Sequence, residues 1–288
     1  MKRMLALLLM LLCACAASAE EGIIIDKTGD ENQDFAFAQD ARLLEVYFPQ
    51  VYGCDAALVR CGEYTMLIDC GGNQWKATKS LLDELDITHL TYALNSHPDA
   101  DHIGGFNHVL KDIPAGEFLT GFPEDYPSGD EVRFKVYDAL HELDIPMRQV
   151  QHGDTIEFGD ARITVYQRTD EHLPRVNNKS VLLMIEYGER RIFFAGDIQA
   201  ATQTLLAEDA ANLDLKADVI KYPHHGYEPL QEGFLEMVSP SLAVATCGQS
   251  KTNGLAQMKA HGIPYVLTSN KQLRLATDGK VWTLEKFE

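Results

Sequence analysis

Residues Ser96–Gly105 read SHPDADHIGG. Four groups that bind metal ions, His97, Asp99, Asp101 and His102, fall within six positions. The run Leu90–Asn95 ahead of them is apolar and reads as a strand. Asp101–Leu110 behind them has helical spacing, with Asp101 near its start. The quartet therefore sits on a loop leaving a strand, where α/β folds place their sites. In an extended loop, residues two apart face the same way, so His97, Asp99 and Asp101 project together and His102 turns with the first helical residue. A lone Asp at a helix start is usually an N-cap, and a lone surface His usually binds nothing. Crowding separates this stretch from those uses.

Two more strands end in ligand-type residues. RRIFFA runs into Gly196-Asp197, and ADVIKY runs into PHHG, which contains His224 and His225. Asp197 has two carboxylate oxygens and can bridge two cations, and His224 or His225 completes the second site. Six ligands from three loop tips suffice for two divalent ions with a shared water. Two such ions about 3.5–4 Å apart make a hydrolytic centre.

The rest of the chain supplies a frame for those tips. Ala56–Cys61 and Tyr64–Asp69 read as strands around Gly62-Glu63, and Gln74–Leu85 as a helix. Val132–Leu143 is helical and stops before Pro146. Thr155–Phe158 and Arg162–Tyr166 are strands joined by Gly159-Asp160, and Ser180–Tyr187 and Arg190–Ala195 form a hairpin around Gly188-Glu189. Helices over Gln199–Glu208, Gln231–Val238 and Leu255–His261 alternate with strands over Ala217–Tyr222, Leu242–Thr246, Val266–Thr268, Gln272–Ala276 and Lys280–Leu284. Paired strands alternating with helices place the chain in the α/β or mixed class, with helices covering packed sheets.

Residues 1–19 read as a secretory signal peptide: Lys2 and Arg3, an apolar run Met4–Leu12, and a small-residue cleavage site Ala17-Ser18-Ala19. A membrane anchor and lipid attachment near Leu12-Cys13-Ala14-Cys15 are the other readings of this segment. Residues 20–288 then form one domain in a secreted, extracytoplasmic protein, with no transmembrane segment in the mature chain. The whole sequence carries 25 Lys+Arg against 43 Asp+Glu, a formal charge of −18. Such a surface repels nucleic acid and anionic lipid at long range, and no basic stripe is visible. Cys54, Cys61, Cys70 and Cys247 follow the leader. Export permits disulfides, and a hairpin over residues 56–69 brings Cys54 near Cys70, but free buried thiols satisfy the sequence equally. With no CxxC pair, a thiolate zinc knuckle is disfavoured.

At these residues the sequence resembles the metallo-β-lactamase superfamily, whose signature is HxHxDH. It is most similar to the branch containing the extracytoplasmic domain of ComEC-type DNA-uptake proteins, whose pattern SHPDxDHIGG stands here as Ser96–Gly105. GCDAALVRCGEYTMLIDCGG is similar to the opening hairpin, NNKSVLLMIEYGERRIFFAGD to the segment leading to Gly-Asp, and LKADVIKYPHHG to the strand ending in HHG. The resemblance implies a four-layer αββα sandwich with a dinuclear site at one edge. His97 and Asp99 would serve one metal and Asp101 and His102 the other. Asp197 would bridge, His225 would be the HHG ligand, and His224 would lie near the leaving group. Two departures stand out. The superfamily's third-motif histidine has no equivalent among Asn177, Asn178 and Ser180, although His172 is close in sequence. The late Gly-His-Pro is absent, and only His261 occurs there.

An aspartate at position 99 and the missing histidine make the site oxygen-rich, which suits Mn²⁺, or Zn²⁺ held more weakly than by three imidazoles. The expected activity is hydrolysis of phosphoester bonds, chiefly phosphodiesters, by a metal-bound hydroxide. Asp101 orients the nucleophile, His224 protonates the leaving oxygen, and Asn178 or Ser180 holds a substrate oxygen. The acidity favours small or zwitterionic substrates. Nuclease action, hydrolysis of a lactone, lactam or thioester, and a catalytically lapsed metal-binding surface module are the alternatives. His89, His108, His141 and His152 read as structural or solvent-facing.

Overall fold

A computed structural model describes residues 25–26, 36–249 and 251–287. The expected leader, residues 1–19, lies outside the described residues. Among the described residues, sixteen strands form two sheets. The larger contains β1 (Ile25–Asp26), β2 (Leu44–Phe48), β3 (Ala56–Cys61), β4 (Tyr64–Cys70), β5 (Leu90–Asn95), β6 (Ala115–Thr120), β7 (Met147–Gln149), β15 (Gln272–Thr277) and β16 (Trp282–Phe287), in the order β1-β16-β15-β2-β3-β4-β5-β6-β7. The smaller contains β8 (Thr155–Phe158), β9 (Ala161–Tyr166), β10 (Leu182–Tyr187), β11 (Arg190–Phe194), β12 (Val219–Lys221), β13 (Leu242–Ala245) and β14 (Tyr265–Leu267), in the order β14-β13-β12-β11-β10-β9-β8.

The sheets pack face to face because their strands alternate. In β2, Leu44, Val46 and Phe48 enter the core shared with Ile163, Val165, Leu183 and Phe194 of the other sheet. Tyr47 points the other way, into a second core beneath helices α1 (Trp75–Glu84), α2 (Ala100–Ile103), α3 (Phe106–Asp112) and α4 (Val132–Glu142). A third core lies between the smaller sheet and α5 (Ala200–Glu208), α6 (Glu232–Val238) and α7 (Asn253–Ala260). Three cores between four layers give the expected αββα sandwich.

The parallel strands aim the site. β4, β5 and β6 run parallel in one sheet, as do β11, β12, β13 and β14 in the other. The C-terminal ends of β4, β5, β11, β12 and β13 therefore open toward one edge of the sandwich, and each is followed by a loop that carries polar side chains.

Several boundaries differ from the sequence reading. Asp101–Leu110 is two short helices, α2 and α3, separated at Gly104-Gly105. A Cβ on Gly105 would sit 2.0 Å from the Cys70 carbonyl oxygen and 2.8 Å from Cβ of Trp75. The chain is pressed against β4 there, and no other residue fits. β2, β6 and β7 have no counterpart in the sequence reading. Cys54, Cys61, Cys70 and Cys247 are buried free thiols.

Candidate metal centre

Two buried carboxylates behind the edge set the geometry. Asp69, at the end of β4, accepts from the Ser96 backbone N–H at 2.8 Å, the Ser96 hydroxyl at 2.8 Å and Asn95 Nδ2 at 3.2 Å. It also holds His102 Nδ1 at 2.8 Å. Asp55, just before β3, meets His225 Nδ1 at 3.0 Å and accepts from the Thr246 hydroxyl at 2.5 Å and from the Lys221 ammonium. Each imidazole is thus fixed through Nδ1, and its Nε2 is turned toward the edge. An outer carboxylate that orients a histidine in this way is the usual support of a metal ligand.

The two Nε2 atoms face the same carboxylates. His102 Nε2 lies 3.2 Å from Asp197 Oδ2 and 3.7 Å from Asp101 Oδ2. His225 Nε2 lies 3.1 Å from Asp101 Oδ2 and 3.4 Å from Asp197 Oδ2. Asp197 and His102 are buried, yet Asp197 Oδ1 and His102 Nε2 have no hydrogen-bond partner. Leaving such atoms buried and unpaired is costly, and a cation removes that cost. Asp55, His102, Asp197 and His225 each offer a ligand atom within 4.8 Å of the others, a candidate metal site. Within that quartet both Asp55 oxygens are already engaged by Lys221, Thr246 and His225, so Asp55 orients rather than binds. The donor set fits a divalent cation.

A second cluster adjoins the first. The His97 ring is buried 4.1 Å from that of His102, with Nδ1 3.0 Å from the Ser96 hydroxyl. Its Nε2 faces Asp99 Oδ2 at 3.4 Å and Asn177 Nδ2 at 3.4 Å. His224 and His225 both adopt left-handed backbone conformations, φ 49° and 60°. Non-glycine residues enter that region at a cost of about 1–3 kcal/mol each, typically at functional sites.

The metallo-beta-lactamase superfamily profile matches residues 49–245, more than half of the chain. The chain belongs to the metallo-beta-lactamase superfamily. Two curated relatives match over part of their length. ComE operon protein 3 of Bacillus subtilis (strain 168) is 26% identical over 165 residues, which cover 57% of this chain and 21% of that protein. Competence protein ComA of Neisseria gonorrhoeae is 28% identical over 223 residues, covering 74% of this chain and 29% of that protein. The chain thus spans less than a third of the length of these relatives. Among solved structures, CmlA, a diiron beta-hydroxylase from Streptomyces venezuelae, superposes with a TM-score of 0.53 at 12% identity, covering 84% of this chain and 55% of that one. That likeness concerns the fold alone.

The metallo-beta-lactamase centre is strongly polarised. Burial raises the Asp197 carboxyl, but His102 and His225 outweigh it and hold the group well below the usual carboxylate range. Burial likewise opposes charge on His225, and Asp197 and Asp55 outweigh it, pushing the imidazole up to about 9. His102 is raised well above its ordinary value by Asp197 and Asp69 against the same burial. Without a cation the histidines keep protons that a cation would replace.

The structure brings His97, Asp99, Asp101, His102, Asp197 and His225 to one edge. His224 stands on the rim, with Nδ1 3.4 Å from Gln199 Nε2 and 3.6 Å from Glu228 Oε2. Asn178 and Ser180 are not placed to hold substrate. Both are 1% exposed. Asn178 donates to the Pro174 carbonyl and accepts from the Gln199 N–H, while the Ser180 hydroxyl donates to the Asn177 carbonyl and accepts from the Asp197 N–H. They brace the Asp197 loop, and Asn177 is the member of that segment that reaches the centre. His172 lies on an exposed loop, and His152 packs edge-on to Tyr166. Sequence reasoning missed Asp55, Asp69, Lys221 and Thr246. Asp69 had a local signal, a carboxylate ending an apolar strand. The other three become partners only when the two sheets close, 166 and 191 residues apart in sequence from Asp55.

Proposed function

We propose that this chain is an exported phosphodiesterase with a dinuclear metal centre. The observation that carries the reading is the pair of oriented imidazoles, His102 and His225, facing the buried, half-unpaired Asp197 across from Asp101. His97 and Asp99 would hold one cation, with Asn177 alongside. Asp101, His102 and His225 would hold the other, with Asp197 available to both. When bound, divalent cations supply Lewis acidity toward a phosphoryl oxygen and an acidic water. Asp101, whose side chain is 40% exposed, faces the open edge and accepts a hydrogen bond from the attacking water, aligning it with the phosphorus. His224, on the rim, delivers a proton to the departing oxygen. Oxygen-rich donors favour Mn²⁺ over Zn²⁺.

The resemblance to ComEC-type DNA-uptake proteins, together with Competence protein ComA among the relatives, supports a second reading, cleavage of DNA. The formal charge of −18 weighs against a long polyanion and in favour of a small diester. Activity measured with Mn²⁺, Zn²⁺ and Fe²⁺ separates these readings. Turnover of bis-p-nitrophenyl phosphate above that of phosphomonoesters, single-stranded DNA and a chromogenic cephalosporin supports the phosphodiesterase. Equal or faster DNA cleavage supports the nuclease. Cephalosporin hydrolysis alone, or no turnover of any substrate, overturns both.

A further inference from the structure

Two tyrosines stand beside the centre with their rings in solvent. Tyr52 is 56% exposed and Tyr227 is 36% exposed. The Tyr227 ring lies 5.8 Å from the His225 ring and 6.3 Å from the His224 ring, edge-on to both. It therefore borders the two histidines of the centre, His224 and His225. Tyr52 belongs to a neighbouring loop that is firmly held. Gln74 clamps its backbone, accepting from the Tyr52 N–H at 3.3 Å and donating to its carbonyl at 2.5 Å. The next residue, Gly53, donates to the Thr246 carbonyl at 2.6 Å. The Tyr52 ring rests on Gly248, where a Cβ would come within 2.8 Å of ring atom Cδ2. The Tyr227 hydroxyl covers Gly53, 3.4 Å from where its Cβ would stand. Gly248 thus seats the Tyr52 ring and Gly53 lies under the Tyr227 hydroxyl, which ties the loops at residues 50–54, 224–228 and 246–249 into one tyrosine-bearing wall.

The wall has a chemical complement. Asp101 Oδ2 lies 3.1 Å from His225 Nε2 and Glu228 Oε2 lies 3.6 Å from His224 Nδ1, beside the two histidines that Tyr227 borders, so an anionic substrate gains nothing there from charge beyond its contact with the cations. Stacking on an aromatic face does not depend on charge and tolerates any base, because every base has a π-face. We propose that Tyr52 and Tyr227 determine specificity by stacking the planar base of a nucleoside whose sugar is esterified to the scissile phosphate, so that the substrate is a small nucleoside phosphodiester. This rests on the phosphodiesterase reading above.

Two measurements test it separately. In the first, Mn²⁺-loaded protein hydrolyses a dinucleoside monophosphate or glycerophosphocholine, a diester without a ring, and the ratio of kcat/KM for the two is compared. Tyr52→Ala and Tyr227→Ala should each lower that ratio roughly tenfold, mostly through KM, and the Phe variants should restore it. In the second, saturation-transfer NMR follows neutral adenosine on the full chain under chelation, with no turnover needed. The base protons should receive saturation from wild type and lose it in the double Ala variant. An unchanged ratio, or adenosine that receives no saturation from wild type, overturns the proposal. Absence of diester turnover with adenosine still bound by the tyrosines would instead sink the phosphodiesterase reading and leave the ring site standing.

Discussion

Asp69 touches no substrate-facing surface, yet it holds four separate groups of the segment Asn95–His102. Replacing it with Ala frees the His102 ring and leaves the Ser96 N–H unpaired. Metal affinity measured by competition with a chromogenic chelator should fall about 10–100-fold, with Asp55→Ala behaving alike through His225. Protonation gives a second residue-level test. In the metal-free protein His225 titrates near 9, above its ordinary value of 6.5. A raised folded-state pKa contributes stability that is complete below about 6.5 and lost as pH rises through about 9. The chelated protein should therefore lose thermal stability between those values. Metal affinity should rise across the same window, because fewer protons must leave. Calorimetric scans at pH 6.5 and 9, with and without Mn²⁺, check both signs; a chelated protein that gains stability toward pH 9 contradicts the assignment.

Among the elements, the ones carrying ligands were legible because their signals are local. Leu90–Asn95 reads as a strand from its apolar run and is one, and PHHG follows an apolar strand in both sequence and structure. What was not legible depends on contacts made elsewhere. β7 has three residues and exists because it pairs with β6. β2 alternates Leu44, Val46 and Phe48 inward, a period-two pattern carried by only three apolar residues. Its intervening Glu45 is buried only because Arg60 and Arg274 of the adjacent strands meet it at 2.6 and 2.7 Å. The division of Asp101–Leu110 at Gly104-Gly105 is invisible to periodicity, since it arises from the approach of Cys70. That approach predicts that Gly105→Ala, harmless in an ordinary helix, destabilises the protein by about 2–3 kcal/mol. Urea denaturation measures it, and a loss under about 1 kcal/mol would mean that the packing is looser than described.

At the scale of the molecule, two sheets must close before the centre exists. Asp55, His102 and Asp69 come from the larger sheet and its loops, and Asp197, Lys221, His225 and Thr246 from the smaller. Folding and metal binding are therefore linked. A ligand present at 100 times its Kd adds about 2.7 kcal/mol to stability, which for a chain of this size raises Tm by roughly 5–10 °C. Mn²⁺ or Zn²⁺ should produce that rise and Na⁺ should not. Among the described residues no helix is long and apolar enough to cross a membrane. The αββα architecture was readable through resemblance and through the strand–helix rhythm, whereas the pairing order of the strands was not, because register is set across the sheet rather than along the chain.

The account depends on His102, His225 and Asp197 meeting to hold a cation between the sheets. Crystals grown with Mn²⁺ and measured at its absorption edge test this most directly. The account predicts anomalous density within about 2.0–2.3 Å of Nε2 of His225, Nε2 of His102 and an oxygen of Asp197, with a second peak beside His97 and Asp99. Anomalous density confined to surface carboxylates, with His225 Nε2 still on Asp101 and His102 Nε2 still facing Asp197 with no ion between them, would contradict it.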